Sequence, residues 1–239
     1  MTKEVKIRMF TIPNMLTLGN LLCGCLAILW TLSTGDLKMA FWFIAAAAVL
    51  DFLDGFCARL LKSYSAMGVQ LDSLADMVSF GAAPAFVLYS MYGSSGGAEW
   101  WAPGAYAMFA VTLFSALRLA KFNIDTRQKE EFIGLPVPAC AIFFASAGWL
   151  FADGQLELDP VWMIVAALIF SWLLISPIRM FSLKFKGFSF RPNALRYIFL
   201  LCALVALALF RMAAVPPVIV AYIATSAIRN LACRKAEQG

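Results

Sequence analysis

Hydrophobic residues form long unbroken stretches along this chain, and polar residues are concentrated in the short segments between those stretches. Apolar and polar positions do not alternate residue by residue, which disfavours a lipid-facing β-barrel and favours helices. The stretches are close to the ~20 residues that a helix needs to cross a bilayer. We predict eight spans, at residues 15–34, 38–61, 69–91, 104–122, 135–152, 160–177, 194–210 and 213–230.

The composition excludes a soluble globular protein. Of the 239 residues, 62% are hydrophobic and 14% are charged, whereas soluble domains are ~45–50% apolar. Too few polar side chains remain to cover the surface of a globular fold. We therefore predict one all-α polytopic membrane domain over residues 1–239, with about eight transmembrane helices and no linker or repeat.

The basic residues predict the orientation of the chain in the membrane. If the N-terminus is cytosolic, 17 of the 19 lysines and arginines lie on the cytosolic side and only Lys38 and Arg211 lie outside. This distribution follows the positive-inside rule, so we expect both termini, including a basic segment at residues 1–12, in the cytosol. The basic residues form no single patch, so anionic lipids are expected partners and nucleic acid is not.

Four aspartates, Asp51, Asp54, Asp72 and Asp76, stand within or beside the second and third spans. A carboxylate at such a place is costly unless something compensates its charge. At ~100° per residue, the first two share one helix face and the last two share another. The short connection between the spans makes them antiparallel neighbours, so we expect all four carboxylates to converge on one site.

Carboxylates packed this closely would become protonated unless bound cations kept them ionised. We therefore predict a divalent-metal site formed by these four aspartates. Ligation by oxygen alone favours Mg²⁺, Mn²⁺ or Ca²⁺, and the absence of histidine and of paired CxxC spacing disfavours zinc or haem. Two ions ~3.5–4 Å apart would suit a displacement reaction at phosphorus.

Small residues lie beside the aspartates in the sequence. Gly55, Ala58 and Gly68 would let a nucleotide or diphosphate approach the backbone, and Arg59 would add positive charge for the phosphates. Each small residue taken alone also fits close helix packing. A divalent-cation channel or transporter is the alternative from another class, disfavoured because the carboxylates cluster at one membrane edge.

The joint pattern Asp51-x2-Asp54-Gly55-x2-Ala58-Arg59-x8-Gly68-x3-Asp72-x3-Asp76 resembles the signature of the CDP-alcohol phosphotransferases, with no departure at any motif position. The resemblance implies a membrane enzyme that moves a phosphatidyl or similar group from a CDP-linked donor to an alcohol and releases CMP. It implies that the four aspartates hold two divalent ions, Mg²⁺ or Mn²⁺, and that the small residues line the nucleotide pocket. It also implies that Asp76 is the general base.

Around the motif, the sequence is similar to one branch of this family, the bacterial phosphatidylserine synthases of the membrane type. The similar segments are residues 12–20, 71–81, 117–123 and 133–139. The similarity implies CDP-diacylglycerol as donor, L-serine as acceptor, a homodimer, and an active site on the cytosolic face of the bacterial inner membrane. The same chemistry on glycerol 3-phosphate, which gives phosphatidylglycerophosphate, is the nearest alternative, followed by inositol phosphate and amino alcohols.

Serine is a zwitterion, so its pocket needs a cation or several donors for the carboxylate. Arg118, Lys121 and Asn123, at the predicted cytosolic end of the fourth span, are the candidate acceptor-binding residues. Lys121 fits a positive-inside anchor equally well.

The first predicted span carries a polar stripe at three-residue intervals, formed by Asn14, Thr17 and Asn20. These side chains either face the nucleotide or form hydrogen bonds with a neighbouring helix. Taken one at a time, each favours the packing role.

Overall fold

The computed structural model describes residues 9–125, 132–180 and 190–238. Most of the basic segment predicted at residues 1–12 therefore lies outside the described residues. The described chain is almost entirely helical, which confirms the all-α prediction. In chain order, the elements are α1 (Ile12–Thr34), α2 (Leu37–Leu60), α3 (Ala66–Asp76), a π-helical turn (Met77–Ala82), α4 (Ala83–Ser94), α5 (Gly97–Trp101), a 3-10 segment (Ala102–Phe109), α6 (Ala110–Ile124), β1 (Phe132–Ile133), α7 (Val137–Ala152), α8 (Pro160–Ile175), β2 (Arg179–Met180), α9 (Phe190–Phe210), a 3-10 turn (Arg211–Ala214) and α10 (Val215–Gln238).

Each of the eight predicted spans coincides with helical structure, but fewer helices are long enough to cross a membrane. Helices α7 and α8 have 16 residues each, about 24 Å of rise, which is less than the ~30 Å hydrocarbon core. At the C-terminal end, the 3-10 turn separates α9 from α10, and the rings of Phe199 and Tyr222, 6.0 Å apart, show that the two helices lie side by side. By length and hydropathy, the described residues contain five candidate membrane-spanning segments, the last of which includes both α9 and α10: Ile12–Thr34, Leu37–Leu60, Ala66–Ser94, Ala102–Ile124 and Arg196–Ala232.

The first two helices form an antiparallel hairpin whose ends are set by capping residues. Thr11 Oγ1 accepts a hydrogen bond from the Asn14 backbone N–H at the start of α1. Gly35 ends α1 with φ of +69°, a conformation that glycine adopts without steric cost. Asp36 Oδ1 then accepts two backbone N–H groups in the first turn of α2. The hairpin brings the end of α2 beside the beginning of α1.

The π-helical turn, Met77–Ala82, follows α3 directly and contacts two neighbouring helices. Ser79 Oγ donates to the Asn20 carbonyl oxygen on α1 at 2.9 Å. Thr112 Oγ1 on α6 donates to the Gly81 carbonyl oxygen at 3.1 Å. Single π-helical turns are uncommon and are frequently found at functional sites. This one holds the end of α3 between α1 and α6.

The apolar core lies between α2, α4, α7 and α8. Phe143 and Phe170 stack across the α7–α8 contact with ring centres 4.2 Å apart. Many large apolar side chains on the outer faces are exposed, as expected for helices that contact lipid. The fully buried side chains include Ile44, Phe80, Val87, Met91, Tyr92, Phe144 and Leu174.

An ion pair between Lys38 and Asp153 joins the beginning of α2 to the end of α7. Gln155 Nε2 also donates to Asp153 Oδ2 at 2.7 Å. The hydrogen bond from Lys38 holds the pKa of Asp153 below its ordinary value. Along α2, Lys38 lies about 20 Å of helix rise from Asp51, so this ion pair is remote from the aspartates at the other end.

Gly24 permits the close approach of α1 to the π-helical turn, and we expect Gly24→Ala to destabilise the fold. A Cβ atom at this position would lie 2.7 Å from Ser79 Cα and 2.9 Å from Ser79 N, both backbone atoms that yield only if the helices separate. Overpacking of this kind costs about 1–3 kcal/mol. The measurement is the Tm of the detergent-solubilised variant, which should fall below that of the parent.

Gly19→Ala is the matched control on the same helix. Its Cβ atom would meet the end of the Leu50 side chain at 3.3 Å, which rotates away at low cost. Equal Tm values for the two variants would contradict the role given to Gly24.

Candidate metal centre and adjoining cavity

Three of the four predicted aspartates come together where α2 lies beside α3. Asp51, Asp72 and Asp76 each offer a carboxylate oxygen, and these oxygens lie within 4.8 Å of one another. Asp76 is buried, and the other two are half-buried. Helices α2 and α3 both pack on α1, and this shared packing brings the faces that carry the aspartates together.

Asp54, the fourth aspartate, lies outside this group of three. It is 6% exposed, and its Oδ2 accepts a hydrogen bond of 2.5 Å from Thr17 Oγ1 on α1. One of its oxygens is therefore occupied by the protein, and the residue faces the adjoining cavity together with Asp72.

Helix α1 contributes a second contact to the aspartates through Asn20. Its Nδ2 donates to Asp76 Oδ1 at 3.0 Å, and Asn20 itself is completely buried. Two members of the polar stripe, Thr17 and Asn20, therefore bond to neighbouring helices, and their partners are the aspartates. The three-residue spacing was the sequence signal for these contacts, but it did not identify the partners.

The residues present fit a divalent cation. Asp72 Oδ1 is buried and has no hydrogen-bond partner among the described residues. Within residues 9–125, 132–180 and 190–238, no lysine or arginine forms an ion pair with any of the four aspartates. Negative oxygens removed from water need a compensating charge. A hard cation with oxygen ligands supplies that charge where the protein does not.

A cavity of about 120 Å³ adjoins the carboxylates. In the described structure, nothing lies within 4 Å of where a Gly55 Cβ atom would be. At Gly68, a Cβ atom would lie 3.1 Å from Ser65 Oγ and 3.3 Å from Asn14 Oδ1. Arg59 is exposed at the end of α2 and is not among the lining residues. The lining includes Thr17, Asp54, Gly55, Ala58, Gly68 and Asp72.

A larger cavity of about 490 Å³ lies elsewhere, between α9 and α10. Its lining is almost entirely apolar and includes Phe199, Ala206 and Pro217, with no carboxylate. The described residues that line it include no charged side chain. The smaller cavity beside the aspartates is therefore the candidate site.

The predicted acceptor residues lie on α6, with different surroundings. Arg118 is 3% exposed; its Nε has no hydrogen-bond partner among the described residues, and its guanidinium lies 5.3 Å from the centre of the Phe122 ring. Asn123 is exposed, and its Nδ2 donates to Ser73 Oγ on α3 at 2.9 Å. Lys121 is half-buried. The structure thus ties Asn123 to the helix that carries Asp72 and Asp76, and it buries Arg118 on the same helix as Asn123.

Residues 10–176, more than two thirds of the chain, match the family described as CDP-alcohol phosphatidyltransferase.

Three relatives named CDP-diacylglycerol–serine O-phosphatidyltransferase illustrate the similarity. The Bacillus subtilis protein is 35% identical over 170 residues, which are 70% of this chain and 88% of that protein. The Helicobacter pylori J99 protein is 38% identical over 136 residues, 56% of this chain and 55% of that protein. The Mycobacterium tuberculosis H37Rv protein is 41% identical over 138 residues, 55% of this chain and 46% of that protein. The chain thus spans about half the length of the Helicobacter and Mycobacterium relatives.

Proposed function

Because the chain belongs to the CDP-alcohol phosphatidyltransferase family, a family of membrane proteins, we propose that it transfers the phosphatidyl group from CDP-diacylglycerol to L-serine. The products are phosphatidylserine and CMP. The observation that carries this proposal is the group of three carboxylates beside a cavity that Gly55 keeps open. The names of the relatives support serine as the acceptor.

The proposed chemistry divides the work among the aspartates. Asp51, Asp54, Asp72 and Asp76 hold the divalent cations, two Mg²⁺ or Mn²⁺ ions, which supply positive charge to the diphosphate of the donor when bound. Asp76 accepts the proton of the serine hydroxyl as that oxygen attacks the phosphorus nearer the diacylglycerol. The new P–O bond joins phosphorus to serine, the bond to the bridging oxygen breaks, and CMP leaves with that oxygen.

Binding residues are assigned by their place around the carboxylates. Gly55, Ala58 and Gly68 form the nucleotide side of the cavity, and Arg59 at the end of α2 attracts the phosphates from the solvent side. Arg118, Lys121 and Asn123 on α6 form the acceptor side, with Arg118 as the partner of the serine carboxylate. A buried guanidinium with an unpaired Nε is suited to this role because pairing with a carboxylate compensates its desolvation.

In this proposal, residues 1–239 form one membrane domain with eight crossings and both termini in the cytosol. The domain lies in the bacterial cytoplasmic (inner) membrane, where the active site faces the cytosol and meets serine in water and the lipid donor in the bilayer. The protein acts as a homodimer among anionic lipids. The ion pair between Lys38 and Asp153 supports the topology, because it joins two segments that the positive-inside rule assigns to the outer side.

The test is an assay of purified, detergent-solubilised protein with CDP-diacylglycerol and Mn²⁺ or Mg²⁺. Serine, glycerol 3-phosphate, inositol phosphate and amino alcohols are supplied one at a time, and CMP and the lipid product are measured. We expect CMP and phosphatidylserine with serine. If only another alcohol gives product, that alcohol is the acceptor. If no alcohol gives product, the proposal is overturned; this is the result expected of a cation channel or transporter.

We expect Gly55→Leu to weaken donor binding without unfolding the protein. The open space beside Gly55 accepts a leucine side chain, which then occupies volume that the nucleotide needs. The KM for CDP-diacylglycerol should rise about tenfold or more, which corresponds to ~1.4 kcal/mol, while the Tm stays close to that of the parent. Steady-state kinetics at saturating serine measures the change.

Gly93→Leu is the control for this substitution. Gly93 is also helical, and in the described structure no atom lies within 4 Å of where its Cβ would be, but it stands on α4, away from the aspartates. A KM increase of similar size in both variants would refute the nucleotide pocket at Gly55.

A further inference from the structure

Asn20 differs from an ordinary helix-packing residue because only one end of its amide is satisfied. Its Nδ2 donates to Asp76 Oδ1 at 3.0 Å, while its Oδ1 is buried without a hydrogen-bond partner among the described residues. The orientation of the amide follows from its neighbour, since an amide oxygen facing a carboxylate oxygen would be repelled. A buried, unpaired acceptor is destabilising. If Asn20 served only helix packing, both ends of its amide would be expected to have hydrogen-bond partners. The single hydrogen bond to Asp76 is therefore the contact that explains an asparagine at this position.

The backbone of Asn20 is held by the segment that follows Asp76. Ser79 Oγ, in the π-helical turn, donates to the Asn20 carbonyl oxygen at 2.9 Å, and both residues are completely buried. Helix α1 and the end of α3 are therefore linked twice, by Asn20 Nδ2 to Asp76 and by Ser79 Oγ to Asn20. Both links involve the same residue of α1, so the position of Asn20 sets the position of the Asp76 carboxylate.

We propose that Asn20 is a positioning residue that fixes the orientation of the Asp76 carboxylate within the group of three. With Oδ1 engaged by the amide, rotation of the carboxylate is restrained, and Oδ2 remains free for a cation or for the acceptor hydroxyl. Hydrogen-bonding partners of metal-binding carboxylates orient them in this way. The substrates used in the kinetic test rest on the function proposed above. The effect of Asn20 on the Asp76 carboxylate is tested separately, by Mn²⁺ binding without substrate.

The experiment compares Asn20→Leu, which is similar in size and has no donor, with Asn20→Gln, which keeps an amide. Two quantities are measured on detergent-solubilised full-length protein: Mn²⁺ affinity without substrate, by the EPR signal of free Mn²⁺, and kcat and KM for CMP release. We expect Asn20→Leu to lower the Mn²⁺ affinity by about 10- to 100-fold and, at saturating Mn²⁺, to lower kcat by a similar factor. At saturating Mn²⁺ the KM for CDP-diacylglycerol should change less than about threefold, since the nucleotide cavity is lined by other residues. Asn20→Gln should recover part of both losses.

Thr31→Val is the control on the same helix. Thr31 is 2% exposed, and its hydroxyl donates to the Ala27 carbonyl oxygen in its own helix, far from the aspartates. This variant should keep the parental Mn²⁺ affinity and kcat, even where its Tm shifts as much as that of Asn20→Leu. Equal losses in Thr31→Val and Asn20→Leu, or parental Mn²⁺ affinity and kcat in Asn20→Leu, would overturn the proposal. If the parent binds Mn²⁺ but forms no product with any alcohol, the proposed function fails, and the Mn²⁺ affinities alone decide the role of Asn20.

Discussion

Asp76→Asn is expected to reduce CMP release by about 10²- to 10⁴-fold, the range that a positioned general base contributes. Asparagine has nearly the same shape and can still accept the hydrogen bond from Asn20 Nδ2 through its own carbonyl oxygen. Because an amide cannot take a proton from the serine hydroxyl, the substitution removes the proposed chemistry and keeps the packing. The assay measures kcat with CDP-diacylglycerol and serine at saturating Mn²⁺, so that weaker cation binding does not limit the rate.

The control for this experiment is Asp153→Asn. It removes a carboxylate that pairs with Lys38 at the end of the molecule remote from the site, and we expect the parental rate. The yield and elution profile of both variants should match those of the parent, because the amide introduced by Asp76→Asn retains the buried hydrogen bond. A parental rate of CMP release in Asp76→Asn would show that another group takes the proton.

Asp72→Asn is expected to have its largest effect on the cation requirement. Asp72 Oδ1 is buried and unpartnered among the described residues, so a bound cation is the compensation that this carboxylate requires. Losing the Asp72 carboxylate should raise the Mn²⁺ concentration that gives half-maximal activity by more than about 100-fold. That is the upper end of the effect of mutating a residue that only hydrogen-bonds to a metal ligand. Chelation by EDTA should abolish the activity of the parent, and added Mn²⁺ or Mg²⁺ should restore it.

Asp153→Asn also serves as the control for the Mn²⁺ dependence of Asp72→Asn. Asp153→Asn changes the net charge of the protein by the same amount as Asp72→Asn, so an effect of charge alone would appear in both. We expect only Asp72→Asn to shift the Mn²⁺ titration. Full activity of the parent in excess EDTA would remove the metal centre from the mechanism.

The aspartate pattern and the residues around it illustrate what periodicity can predict. A spacing of four places Asp72 and Asp76 on one face of any regular helix. Asp51 does lie with them, but α2 and α3 come together by packing on α1, which the spacing does not specify. The π-helical turn after Asp76 was not predicted, because no residue type specifies it and its contacts come from α1 and α6. The same holds for Thr17 and Asn20, whose polar spacing was visible but whose partners lie 37 and 56 residues away.

The lengths of two apolar helices differ from those predicted by hydropathy. Helices α7 and α8 are apolar throughout, but their 16 residues are bounded by prolines, glycine and capping groups. They pack against α2, α4 and α6, and hydropathy along the sequence does not reveal such contacts.

By itself, the amino-acid sequence determined that this protein is helical, that it belongs in a membrane, and which four carboxylates are the candidates for its chemistry, because these follow from composition and from spacing along single helices. Only the tertiary structure decided that Asp51, Asp72 and Asp76 group together while Asp54 pairs with Thr17, and that Asn20 donates a hydrogen bond to Asp76. The physical reason is that a hydrogen bond between helices depends on the axial shift and rotation of both. Those are set by close contacts such as that of Gly24 with Ser79, which no local pattern encodes.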